Sequence, residues 1–252
     1  MTRSVFAAAP EDGPNRGKKR ASPRKAGPPK PGRRHRVLRI VALALIAALV
    51  LPVIPILVYR FVPPPVTPLM LIRAVGGASI HKNWVPLARL SPTLARAVIA
   101  SEDEKFCTHH GFDWEALNAS WRDWQVGREP KGASTISMQT AKNLFLWPGR
   151  SIVRKGIEAY LTALIELTWS KDRIIEVYLN IIELGDGVYG ADAASRLYFN
   201  RSASSVTGDE AARLAAVLPN PRRWSPMTPT SYIEERAAII RARMPGAALG
   251  CL

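Results

Sequence analysis

Ala100-Ser101-Glu102-Asp103-Glu104-Lys105-Phe106, then His109-His110-Gly111-Phe112-Asp113, then Gly132-Ala133-Ser134-Thr135-Ile136-Ser137-Met138-Gln139-Thr140-Ala141-Lys142-Asn143 decide how this chain reads. They bring a carboxylate cluster, a hydroxyl-rich helix start and a lysine into one compact region. Upstream, Ile40 to Tyr59 is an uncharged, almost wholly apolar run bracketed by Arg39 and Arg60. As a helix it is long enough to cross the ~30 Å hydrocarbon core of a bilayer. A secretory signal is shorter and ends in a small-residue cleavage site, whereas Pro52, Pro55 and Tyr59 stand here. The expectation is a retained membrane span, kinked in its outer half by the two prolines.

The formal charge of +15 over 252 residues is unevenly spread. Residues 1 to 39 carry twelve Lys or Arg against Glu11 and Asp12, so this tail supplies +10 of the total. The remainder is a mild excess suited to a lipid headgroup or a diphosphate, and too weak for a nucleic-acid binder. Residues 1–36, rich in Pro, Gly, Lys and Arg, lack the apolar surface to fold and read as a disordered basic arm. A basic tail ahead of the span places the amino terminus in the cytoplasm and everything after Arg60 outside. The expected organisation is an arm over 1–36, a transmembrane helix over 37–62, a membrane-proximal linker over 63–90 stiffened by Pro63, Pro64, Pro65 and Pro68, and one folded domain over 91–252.

Cys107 and Cys251 are the two cysteines, too few for a disulfide framework or a four-cysteine zinc site, and they can bridge or stand free. The Cys107-x-His109-His110 run lacks the usual ligand spacing and reads as local packing. Beyond the span, apolar periodicity predicts helices from Pro92 toward Ala100, over about 113–126, 135–146, 152–169, 171–182 and 209–218, the last opened by the capping box Thr207-x-x-Glu210. Strand patterns are scarce, so the domain is mainly α. Glu102 should fall at or just past a helix end. Trp121, Trp124, Trp147 and Trp169 read as core residues.

Three further clusters come in order: Arg154-Lys155-Gly156-Ile157-Glu158, Lys171-x-x-Ile174-Ile175-Glu176-x-Tyr178-Leu179-Asn180, and Gly185-x-Gly187-x-Tyr189-Gly190. With the two opening stretches, the series resembles the five ordered motifs of the peptidoglycan glycosyltransferases, in the monofunctional form without a transpeptidase domain. Ser22-Pro-Arg-Lys25 fits the transpeptidase Ser-x-x-Lys by chance, in the basic arm with no Lys-Thr-Gly downstream.

The resemblance implies a lysozyme-like helical domain that polymerises lipid II into β-1,4-linked glycan with inversion, releasing undecaprenyl diphosphate. It assigns Glu102 as the base that activates the acceptor hydroxyl, and Glu158 as a second active-site glutamate. Lys142 and Arg150 take the positions of diphosphate-binding cations. Ser134, Thr135, Gln139, Arg154, Lys155 and Lys171 are the other expected substrate-side residues, and Ser134 doubles as a helix N-cap. Glu176, Tyr178 and Asn180 read as scaffold. Met138 departs from the family's usual glutamine, and a thioether donates no hydrogen bond there. No protein-held metal site is expected, although a divalent cation, Mg or Mn, can accompany the substrate diphosphate. Expected partners are lipid II, undecaprenyl-diphosphate-linked glycan, the bilayer and other cell-wall synthesis or division proteins. The expected location is the bacterial inner membrane, with the domain periplasmic. The rival readings are a lytic enzyme that cleaves glycan, which also uses a glutamate, and a non-catalytic envelope scaffold.

Overall fold

A computed structural model describes residues 33–129, 132–149 and 151–252. Residues 1–32 of the expected arm and the expected site residue Arg150 lie outside that range. The chain divides into two units, 1–46 and 47–252. In the first, the described residues are helical from Arg33, so the helix begins within the expected arm.

The described helices are α1 (Arg33–Val50), α2 (Val53–Tyr59), α3 (Pro68–Val75), α4 (Pro92–Glu102), α5 (Trp114–Gln125), α6 (Ile136–Phe145), α7 (Ile152–Thr168), α8 (Lys171–Ile181), α9 (Ala191–Phe199), α10 (Gly208–Ala216) and α11 (Ser231–Arg243). Arg33–Tyr59, in which an 18-residue window has mean hydropathy 3.0, is the one helical stretch among the described residues long and apolar enough to cross a membrane. It breaks at Leu51-Pro52, where a proline that cannot donate to the helical ladder starts a new helix. α2 belongs to the folded unit: Ile56 is fully buried, and its carbonyl accepts a 2.8 Å bond from Trp169 Nε1.

The core forms where α4, α6, α8 and α10 bury their apolar stripes, with Ile99, Ile136, Ile174, Ile175 and Tyr178 fully enclosed. α6 packs between α7 and α8, and α4 against α10 and α11. The predicted helices from 92, 113, 135, 152, 171 and 209 all form, and the capping box at Thr207 and Glu210 is made in both directions. The segment expected as a linker over 63–90 instead carries α3, whose Leu69 and Met70 are buried and which packs on α6.

A small sheet completes the unit: β1 (His81–Lys82) pairs in parallel with β3 (Val188–Tyr189), which pairs antiparallel with β2 (Glu183–Gly185). Its short strands lacked the length for a period-two signal. The glycine cluster here is packing chemistry. A Cβ on Gly187 (φ 72°) would come within 2.2 Å of the Ser79 carbonyl, and one on Gly190 (φ 84°) within 2.7 Å of that of Asn180. Cys107 and Cys251 form a disulfide that ties the loop after α4 to the last residues of the chain.

The tryptophans correct the sequence expectation. Trp169 is buried, but Trp121, Trp124 and Trp147 are 57%, 60% and 47% exposed. α5 buries none of its residues, and it has no extensive packing with another element among the described residues.

Candidate active site

α4 ends at Glu102, and the chain leaves the helix through Asp103 in a non-helical conformation. That exit turns the Asp103 side chain toward the start of α6. The Asp103 carboxylate accepts from His109 Nε2 at 2.8 Å and from the Ile136 backbone N–H at 2.9 Å, while His109 Nδ1 accepts from the Gly111 N–H at 3.1 Å. His109 is therefore set with its proton on Nε2, and Asp103 binds the exposed amide at the start of α6, where a negative charge also suits the helix dipole. Thr135, rather than the expected Ser134, is the N-cap of α6: its Oγ1 accepts from Met138 N and donates to the Gly111 carbonyl at 2.7 Å.

Ordering α6 places Gln139 against Glu102. Gln139 Nε2 donates to Glu102 Oε2 at 2.9 Å, and the Tyr178 hydroxyl donates to Gln139 Oε1 at 3.1 Å, which fixes the orientation of the amide. Burial, with Glu102 and Asp103 nearby, pushes the Tyr178 phenol well above its ordinary range, so it stays a neutral donor. The other glutamate oxygen, Oε1, accepts from Ser101 Oγ at 2.8 Å and lies 3.5 Å from Arg236 Nη2 on α11.

Glu158, on α7, is 1% exposed. Arg154 Nη1 donates to its Oε2 at 2.6 Å, the expected i, i+4 pair, and Lys155 Nζ donates to its Oε1 at 2.5 Å. Lys155 also donates to Ser134 Oγ at 2.9 Å. Ser134 is the hinge of the arrangement, because it lines two cavities. One, about 260 Å³, is bounded by Glu102, Asp103, Thr135 and Arg243; the other, about 770 Å³, by Lys142, Asn143, Trp147, Arg154, Arg73 and Glu183. A carboxylate thus faces one side of Ser134 and a group of cations the other.

Burial lowers the Lys142 ammonium below its ordinary pKa, only partly offset by Glu158. Asn143 Nδ2 and Arg154 Nε, both buried, have no hydrogen-bond partner among the described residues. Burial also raises the Glu183 carboxyl. Met138 is buried and lines neither cavity. Lys171 is engaged internally: it donates to Glu166 Oε1 at 2.8 Å and sits 4.6 Å above the Phe106 ring. Glu176 and Asn180 brace the segment before α4, through Leu87 N and through Val85 N and O.

Sequence reading missed Arg236, Arg73 and Glu183. Ile233, Ala237 and Ile240 form the buried face of α11, but Tyr232, Ala238, Ile239 and Ala242 spread apolar residues round the rest of the helix, so periodicity gives no clear signal there.

Residues 70–245 match the model of a family described as transglycosylase. Among curated proteins, one from Rhodospirillum centenum is 56% identical over 211 residues, covering 83% of this chain and 91% of the relative. One from Caulobacter vibrioides is 54% identical over 203 residues, covering 80% and 89%. A third, from Bdellovibrio bacteriovorus, is 51% identical over 195 residues, covering 75% and 78%. All three are called biosynthetic peptidoglycan transglycosylase. With a match that takes in all the motifs from Glu102 to Gly190, the chain belongs to the transglycosylase family.

Proposed function

We propose that this protein is a peptidoglycan glycosyltransferase that polymerises lipid II into β-1,4-linked glycan for the cell wall, releasing undecaprenyl diphosphate. The observation that carries the reading is the pair of cavities that meet at Ser134, with Glu102 on one side and Lys142 and Arg154 on the other. Glycosyl transfer from a diphosphate needs that division. The acceptor 4-hydroxyl oxygen bonds to the anomeric carbon of the growing chain as its bond to the diphosphate oxygen breaks; Glu102 takes the hydroxyl proton, and the leaving diphosphate keeps the electron pair. Cations that meet the charge as it develops favour the transition state over the ground state.

In this scheme Lys142, Arg154 and Arg150 support the diphosphate, and Glu158 holds Arg154 and Lys155 at the seam. Ser134, Thr135 and Gln139 shape the junction, with Thr135 acting through the start of α6. Lys171 serves by fixing Glu166 beneath it. Both oxygens of Glu158 are occupied by cations, and the cavity walls are predominantly cationic, so the donor set does not suit a protein-held metal ion. A divalent ion would arrive on the substrate.

The arm over 1–36 is assigned to the cytoplasm, the helix over 37–62 to the inner membrane, and the domain beyond it to the periplasm. The basic tail supports this orientation, as does the Cys107–Cys251 bridge, since disulfides persist in oxidising compartments. Other cell-wall synthesis or division proteins are its expected company.

The test is incubation of the full-length, detergent-solubilised protein with labelled lipid II, with and without divalent cation, and then gel separation and muramidase digestion. Muramidase-sensitive polymer is the expected product. Fragments released from sacculi without polymer would identify a lytic enzyme, and neither activity a scaffold.

A further inference from the structure

Glu102 is held from two sides, and the two holds differ in kind. From α6 comes a neutral amide, Gln139, oriented by Tyr178; from α11 comes a guanidinium, Arg236, in ion-pair range of Oε1 and 3.5 Å from the hydroxyl of the adjacent Ser101. Arg236 lies far outside the motif block that ends at Gly190, 135 positions from Ser101. It also lines a separate groove of about 320 Å³ between α4 and α11, bounded by Ser101, Tyr232 and Arg243.

Its Nε is buried and has no partner, so among the described contacts no other carboxylate competes for the guanidinium. The packing of α11 on α4 and α10 delivers the side chain to this spot. Resting on the general-base reading above, we propose that Arg236 is a positioning residue for the glycosyl transfer: it holds the Glu102 carboxylate in the rotamer that faces the acceptor cavity.

The chemistry asks for such a group. A base that must meet a hydroxyl proton in the transition state has to be held in a fixed rotamer. Arginine offers a charged, planar donor to a carboxylate. Of the other cations near Glu102, Lys105 is paired with Glu115 and Asp113, Arg243 is engaged with Glu104 at 3.1 Å, and Lys142 lines the other cavity. The task falls to Arg236.

The experiment measures kcat and KM of full-length Arg236→Gln, Arg236→Lys and Glu102→Gln on lipid II between about pH 5 and 9, with thermal midpoints in parallel. In Arg236→Gln the carboxylate loses its charged hold, so kcat should fall about tenfold with KM within about twofold. Arg236→Lys keeps a cation there, so its kcat should stay within about threefold of the wild type.

An unchanged kcat in folded Arg236→Gln, a KM effect without a kcat effect, or a kcat in Arg236→Lys as low as in Arg236→Gln would each overturn the proposal. If Arg236→Gln does not fold, the Lys variant alone decides: a kcat near the wild type supports the proposal, and a loss of about tenfold overturns it. An inactive Glu102→Gln beside an unaffected Arg236→Gln sinks this inference and leaves the base assignment standing; an active Glu102→Gln sinks both.

Discussion

Glu102 and Glu158 are the same side chain in opposite settings. Glu158 lies mid-helix, its side chain 2% exposed, with both oxygens consumed by Arg154 and Lys155. Glu102 sits at a helix end on an open cavity, its side chain 15% exposed, held by Ser101, Gln139 and a longer contact to Arg236. Glu158 is enclosed between two cations, whereas Glu102 is held mainly by neutral donors at a cavity wall that an acceptor hydroxyl can reach. The contrast supports the proposed division of labour, with Glu158 organising cations and Glu102 doing the proton chemistry.

The sharpest way to break the comparison is to neutralise each glutamate in turn. Glu102→Gln should lower polymerisation by about a thousandfold with little change in thermal midpoint, since the one guanidinium it meets, Arg236, is partly exposed and the contact is long; retained turnover in a lipid II assay would remove the base assignment. Glu158→Gln should do the reverse in emphasis. It strands Arg154 and Lys155 and should cost about 3 kcal/mol in denaturant unfolding, a loss that a second change, Arg154→Gln, partly restores. Equal stability of Glu158→Gln and wild type would mean that the pair is not the organising element.

The two sides should also differ in pH response. Lys142 has a pKa depressed by burial, so its ammonium loses its charge at a lower pH than a free lysine, and activity should fall early on the alkaline side. The stability sign is opposite: between the depressed folded value and the ordinary 10.5 the unfolded chain binds more protons, so stability rises with pH across that window. Lys142→Arg should push the alkaline fall of kcat/KM upward; an unmoved limb would assign it to another group.

Smallest of all should be Glu104→Gln. Glu104 meets Arg243 at 3.1 Å with both side chains more than half exposed, a pair worth less than about 1 kcal/mol, and activity should stay within about threefold. A large loss would mean that the acidic cluster acts as a whole and that Glu102 is not distinctive within it.

Legibility in the sequence depended on range. The Arg154–Glu158 pair is four residues apart on one helix and could be foreseen from spacing alone. The end of α4 at Glu102, the helices bearing Lys142 and Glu158, and the capping box at Thr207 were legible from periodicity and capping residues. The reach of Arg236 to Glu102, the bond from Lys155 to Ser134 and the Cys107–Cys251 bridge join distant segments, and no local pattern encodes which helix packs on which. α3 was hidden by the prolines around it, one of which opens its first turn instead of preventing it. The exposed tryptophans of α5 mark the opposite limit: amphipathicity announces an apolar face without saying whether the fold covers it.

The far end of the apolar helix gives the molecule its mechanical character. Trp169 grips the carbonyl of Ile56, and Arg173 those of Tyr59 and Val62. α2 is thereby clamped to the same packed body as α7 and α8, so a tilt or twist of α2 is passed to the helices that carry Glu158 and Lys171.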